Sequence, residues 1–196
     1  MKLNNILRST ELGLKGPYNF QHFVHIDEKK MVNGTIIEYQ LVSSEQGNLL
    51  ILSLDSKLFG LQYVETENQS LHQISKKYPQ ARFEKTKMPA MLWQNFLTKK
   101  EVHFALAGSL FYFEVWKFLS CIPEGGLISY EFAAKSIGRP SSVRAVATAI
   151  GRNPIAIAIP CHRVIRKDGR LGGYRYGLER KKHLLFKELK MDLRIF

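Results

Sequence analysis

Ile155-Ala156-Ile157-Ala158-Ile159 is an unbroken apolar run, Pro160 closes it, and Cys161-His162-Arg163 follows at once, so a thiol, an imidazole and a guanidinium stand together where a core element ends. The run reads as a buried strand, because it is short and carries β-branched residues. The Pro160 ring fixes φ and removes a backbone donor where the strand must stop. A chain folded this way holds Cys161 on rigid structure. A free thiol has a pKa of about 8.5, and neighbouring positive charge or a base raises its thiolate fraction. His162 and Arg163 are candidates for that help. A cysteine after apolar residues can equally be a small buried hydrophobe, and its surroundings in the sequence decide between the two.

The chain has 196 residues, 45% of them hydrophobic, enough for one large domain or two small ones with a proper core. Two cysteines, Cys121 and Cys161, are too few for a disulfide framework, and zinc-finger spacing is missing, which points to a reduced, cytoplasmic setting. Cys121 reads as core. His22 and His25 lack thiolate partners and read as surface or packing histidines, so neither a metal nor a cofactor is expected. The N-terminus has no apolar leader, and 18 apolar residues never run together, so neither a signal peptide nor a membrane span is expected. The formal charge is +12 and uneven: residues 1–103 hold 13 Lys/Arg against 10 Asp/Glu, residues 104–196 hold 16 against 7. The half containing Cys161 therefore carries +9 of the excess. A surplus of that size favours a polyanion, of which nucleic-acid phosphate is the usual one.

Along the chain, residues 1–33 read as a polar, irregular extension of no assigned role. Thr35 to Val42, Asn48 to Leu54 and Phe59 to Val64 read as strands of an antiparallel meander, separated by turn-prone Ser43 to Gly47 and Asp55-Ser56. Helical spacing follows over Ser70 to Tyr78 and Pro89 to Leu97, then a last strand over Val102 to Ala107. This pattern predicts an α+β domain over 34–107 and a second, mainly helical domain over 108–196. In the latter, Phe111, Val115, Trp116 and Leu119 share one helix face. Ser129 is positioned to cap a short helix reaching Ile137, Gly138-Arg139-Pro140 breaks it, and Ser141 or Ser142 caps another reaching Ile150. Two short helices about a tight turn make a helix-turn-helix. In its second helix Val143, Val146, Ala147 and Ile150 face inward and Arg144 outward, with Ala145 and Ala149 keeping the surrounding surface low for close approach to DNA.

Ordered motifs from Phe111 to Glu188 now resemble the O6-alkylguanine-DNA alkyltransferases: Val115-Trp116, Ile122-Pro123-Glu124-Gly125, Ser129-Tyr130, Gly138-Arg139-Pro140, Val143-Arg144-Ala145-Val146, Gly151-Arg152-Asn153-Pro154, Ile159 to Val164 and Gly169 to Leu185. The first half is similar only in its element pattern, which resembles the family's ribonuclease-H-like domain. The second half resembles its winged-helix-like DNA-binding domain. The resemblance implies that Cys161 takes an alkyl group from O6 of guanine, or from O4 of thymine, in one in-line displacement and keeps it, so each molecule acts once.

By the same resemblance, His162 relays a proton through water and Glu188 orients its ring, as in other nucleophile–base–carboxylate relays. Asn153 ties the recognition helix to the active-site segment. The target nucleotide leaves the duplex through the minor groove, Arg144 filling the vacated stack and Tyr130 turning the adjacent phosphate, with Ser129 beside it in the DNA-binding set. The backbone carbonyls of Cys161 and Val164 accept the guanine amino group. Tyr174 closes the pocket, and the Arg175 amide reaches the alkylated oxygen. The implied partner is double-stranded DNA carrying alkylated guanine, bound by a monomer with no cofactor. Tyr176 stands where some relatives have a small residue, and the N-terminal extension lacks the four-cysteine metal site of the adaptive-response sensor. Two other classes compete: a lesion-binding protein without transfer, which would replace the cysteine, and a cysteine hydrolase, against which the helix-turn-helix argues.

Overall fold

The computed structural model describes residues 5–6, 9–11 and 23–190. The described residues of 21–113, with 154–158, form one compact unit, and those of 1–20, 114–153 and 159–196 form the other. The first is built on a six-stranded mixed sheet of order β1-β6-β4-β3-β2-β5. Its strands are β1 (Phe23–Ile26), β2 (Ile36–Ser44), β3 (Gly47–Leu54), β4 (Lys57–Val64), β5 (Arg82–Lys85) and β6 (Phe104–Ala107). β2, β3 and β4 form the predicted antiparallel meander. Its second turn has Asp55 and Ser56 at φ of 48° and 56°, the twist that lets a two-residue loop join right-handed strands. Helices α1 (Glu67–Lys77) and α2 (Met88–Leu97) complete the unit.

Burial explains why the meander was legible. Leu49 to Leu54 of β3 are buried on successive positions, as expected of a central strand covered on both faces. Leu50, Leu52 and Phe59 pack with Ile37, Ile74 and Tyr78 in one cluster. Two strands of this sheet escaped the reading. β1 lies within the stretch taken as irregular, and it pairs in parallel with β6. β5, Arg-Phe-Glu-Lys, is a polar edge strand parallel to β2, and its charged side chains suit an edge more than they announce a strand. His25 is a packing residue, its Nε2 2.8 Å from the Gly108 carbonyl and its ring against Phe113. His22 lies outside the described residues.

The expected strand over 155–159 is the clear miss. Only Ile155 bridges to the sheet, at Leu61, and the chain then turns, with Ala158 N–H bonded to the Ala156 carbonyl at 2.7 Å. Ile157 sits at φ 68°, a conformation that a β-branched residue rarely adopts. The alternating Ile/Ala pattern reports burial on several sides of a turn.

The second unit contains α3 (Leu110–Leu119, of which residues 114–119 belong here), the two-residue strands β7 (Ile128–Ser129) and β8 (Val164–Ile165), α4 (Tyr130–Ser136), α5 (Val143–Gly151) and α6 (Leu178–Leu189). α4 and α5 are the two helices read as a helix-turn-helix. The Ser129 hydroxyl accepts from Phe132 N–H and caps α4, whereas Ser142 begins α5 without a side-chain cap. Val146 and Ile150 are buried and Arg144 is exposed, as the periodicity predicts; Ala149, read as surface, is instead fully buried. Its carbonyl accepts the Trp116 indole N–H at 2.8 Å. That bond fixes α5 to α3. Among the described residues no helix is long and apolar enough to cross a membrane.

Candidate active site

Cys161 begins a 3-10 turn, Cys161–Arg163, between Pro160 and β8. It is 8% exposed and lines an open cavity of about 440 Å³. Tyr130, Asn153, Tyr174 and Arg175 line the same cavity, together with Ala147 and Ile150 of α5. The local sequence explains the wall formed by the loop. Gly172 lies at φ 68°, and a Cβ there would stand 3.1 Å from the Tyr130 hydroxyl, so glycine alone lets that loop lie against the ring.

Asn153, just beyond α5, donates from Nδ2 to the Ile159 carbonyl at 2.7 Å and to Cys161 Sγ at 3.1 Å. One buried amide thus spans the turn and touches the thiol. Burial pushes the Cys161 thiol up, against the pull of the Asn153 hydrogen bond and of the Lys181 and Arg175 charges. The expectation of a thiolate favoured by its sequence neighbours is therefore corrected: desolvation wins, and the resting group is a neutral thiol. Arg163 does not serve it. Its guanidinium grips Glu188 through two bonds, Nε to Oε2 at 2.8 Å and an Nη to Oε1 at 2.9 Å.

His162 is fully buried, with Nε2 2.7 Å from Glu188 Oε1. Burial lowers its pKa more than the carboxylate raises it, so the ring is neutral, Nε2–H donates to Glu188, and Nδ1 is left as an acceptor. Nδ1 is buried and has no hydrogen-bond partner. Burial alone would push Glu188 up, but the hydrogen bonds from His162 and Arg163, and their charges, hold it down at about 2. A neutral imidazole fixed by an ionised carboxylate is an arrangement that can accept a proton.

The remaining predicted residues are distributed around this centre. Tyr130 is the first residue of α4, and burial followed by the nearby Cys161 raises its phenol, so the hydroxyl keeps its proton and can donate. Ser129 is buried with its hydroxyl engaged by Glu11 at 2.6 Å. Arg144 stands exposed on α5, outside the cavity lining. Val164 O already accepts one hydrogen bond, from Lys181 Nζ at 2.7 Å. Lys181 is what the sequence reading missed. It is fully buried, also bonds the Leu171 and Gly173 carbonyls, and burial lowers its pKa to about 8 against the attraction of Cys161. The signal was available: Lys181 shares an inward stripe of α6 with Leu185 and Glu188, at i, i+4 and i+7, where an apolar residue would be usual.

A neutral thiol on a cavity wall, a buried neutral imidazole bound to a carboxylate and a helix-turn-helix in the same unit define a class: cysteine-dependent group-transfer proteins that read nucleic acid. Comparison with known proteins narrows it. Residues 110–190 match the family described as 6-O-methylguanine DNA methyltransferase, DNA binding domain. The methylated-DNA–protein-cysteine methyltransferase of Mycolicibacterium paratuberculosis is 38% identical over 150 residues, 76% of this chain and 91% of that protein. The Salmonella typhimurium regulatory protein Ada is 48% identical over 87 residues, but those are 44% of this chain and only 25% of Ada, so the chain matches about a quarter of that relative. The crystal structure of Mycobacterium tuberculosis OGT in complex with DNA superposes with a TM-score of 0.64 at 32% identity, covering 78% of this chain and 93% of that one. The chain belongs to the methylated-DNA–protein-cysteine methyltransferase family.

Proposed function

We propose that this protein repairs alkylated DNA in the cytoplasm by moving a methyl or other alkyl group from O6 of guanine, or O4 of thymine, to Cys161. The observation that carries the reading is the placement of Cys161 Sγ: on the wall of a cavity of about 440 Å³, with a neutral imidazole fixed by Glu188 in the same unit. A base stacked in a duplex cannot enter such a cavity, so the nucleotide is rotated out, at a cost of a few kcal/mol that a damaged pair partly offsets. Arg144, projecting from α5, occupies the gap. Tyr130 turns the adjacent phosphate, and Ser129 serves by fixing the helix start that carries Tyr130.

In the cavity the guanine amino group is accepted by the carbonyls of Cys161 and Val164, the latter through its second lone pair. The Arg175 amide donates to O6, the Tyr130 hydroxyl donates to the ring, and Tyr174 covers the base. The thiol proton passes through water to His162 Nδ1 while the imidazolium is held by Glu188. Sulfur then attacks the alkyl carbon: the S–C bond forms, the C–O6 bond breaks, and the electron pair leaves on guanine as its anion. That anion takes a proton from the Tyr130 hydroxyl to become the unmodified base, while the proton held by His162 returns to solvent and the Tyr130 hydroxyl is reprotonated from it. The thioether has no leaving group to return, so one molecule repairs one lesion. No cofactor takes part, and a monomer suffices.

Incubation with O6-methylguanine duplex followed by intact mass measurement tests this: one methyl equivalent located on Cys161 is expected. A protein that binds the duplex but gains no mass would be a lesion-binding protein, and the reading would be wrong.

A further inference from the structure

We propose that the segment carrying Thr10 and Glu11 is a clasp on β7, and that Glu11 is a positioning residue for Tyr130 and, through β8, for the Cys161 turn. This rests on the function proposed above only where repair rate is the readout. β7 pairs with β8 in parallel, Ile128 with Val164 and Ser129 with Ile165. The Leu127 and Ser129 amides, two residues apart, face one edge of that extended segment. Thr10 Oγ1 accepts from Leu127 N–H at 3.1 Å, and Glu11 Oε1 accepts from Ser129 N–H at 2.8 Å and from the Ser129 hydroxyl at 2.6 Å.

Ser129 caps α4 by accepting from Phe132 N–H at 3.1 Å. In a complete capping box the third helical residue is Glu or Gln and returns the bond to the capping residue's own amide. Phenylalanine stands there in this chain, and Glu11 supplies the missing acceptor from 118 positions away. The segment is anchored by shape as well. A Cβ on Gly126 would lie 2.9 Å from the Thr10 methyl, and Ile6 packs against the cluster of Leu127, Ile165, Leu171 and Leu185. Each of those four belongs to, or adjoins, an element bearing a site residue: Leu127 precedes β7 and Tyr130, Ile165 ends β8 after Val164, Leu171 opens the glycine loop, and Leu185 lies on α6 between Lys181 and Glu188.

The test uses the full-length protein with Glu11→Ala and Glu11→Gln, reading amide hydrogen exchange at Leu127 and Ser129 and the rate of methyl uptake from O6-methylguanine duplex. Glu11→Ala should exchange Ser129 at least about tenfold faster and take up methyl about tenfold more slowly, as loss of the acceptor that pairs the Ser129 amide implies, while still reaching one methyl per molecule. Glu11→Gln keeps an acceptor oxygen and should restore both. Unchanged exchange and rate in Glu11→Ala, or equal impairment in Glu11→Gln, would overturn the proposal. Should Glu11→Ala fail to fold, Thr10→Val decides: faster exchange at Leu127 supports the clasp and unchanged exchange refutes it. A native protein that takes up no methyl refutes the repair function instead, and the exchange contrast still decides the clasp.

Discussion

The two units bury different chemistry. Among the described residues the sheet unit has a largely hydrocarbon interior that buries the polar side chain of Ser53, whereas the unit holding Cys161 buries Ser129, Asn153, His162 and Lys181. Burying an unpaired polar group costs about 1–3 kcal/mol, and an unpaired charge far more. The second unit offsets most of that by pairing, Asn153 to Ile159 and Sγ, His162 Nε2 to Glu188, Lys181 to three carbonyls, and leaves His162 Nδ1 as a buried atom without a partner. Such pairing fixes geometry at the expense of stability that an apolar core would have supplied. The sheet unit is therefore expected to govern whether the protein is folded, and the other whether it reacts.

The largest effect that can break this contrast is on the nucleophile. Cys161→Ala should take up no methyl from lesion duplex by intact mass while keeping its circular dichroism; any residual uptake would move the nucleophile elsewhere. Glu188→Gln should follow, slowing transfer by roughly 10²–10³-fold, within the range for acid–base groups. Its pH dependence sharpens the assignment. With His162 as the proposed proton acceptor, transfer requires its ring neutral, and burial holds its pKa below 6.5, so the native rate should persist below pH 6.5 and fall only as the ring finally protonates. Removing the carboxylate withdraws what favours the imidazolium, so in Glu188→Gln that acidic limb should move to still lower pH while the plateau drops. Stability gives the complementary sign. Glu188 is ordinarily at 4.5 and is held at about 2 here, so its stabilisation is complete above 4.5 and disappears as pH falls toward 2. Glu188→Gln should show a flatter acid-unfolding profile across that interval.

Arg144→Ala comes next, because the role proposed for Arg144 is in extrusion and not in chemistry. It should slow repair in duplex by about 10- to 100-fold, as a flipping cost of a few kcal/mol allows, and leave methyl uptake from free O6-methylguanine base unchanged. Equal losses on both substrates would place Arg144 in the transfer step.

What was legible follows the same division. The meander of the sheet unit was readable because local alternation and turn residues report burial directly, and the helix-turn-helix because 3.6-residue periodicity placed Val146, Ile150 and Arg144. The polar centre was less so. The roles expected of Cys161, His162 and Glu188 came through resemblance, since no local pattern ties residue 188 to residue 162. Lys181 was passed over although it interrupts an inward stripe, and Glu11 was invisible because its partner is Ser129, far along the chain. The Ile/Ala run misled for the opposite reason: composition fixed its burial but not its path, and Asn153 bridging to Ile159 is compatible with the turn at Ile157.

The smallest effect expected on transfer comes from the sheet core. Leu50 is fully buried in β3 among Ile37, Leu52 and Phe59, and Leu50→Ala removes three carbons from a packed layer. Such truncations cost about 2–5 kcal/mol, from lost transfer energy and the cavity left behind. If the sheet unit acts as scaffold, the thermal midpoint drops by several degrees, yet at temperatures where the variant stays folded it still takes up one methyl per molecule at the native rate. A large fall in that rate with folding intact would mean that the hydrocarbon core also sets the geometry at Cys161, and the separation drawn between the two interiors would fail.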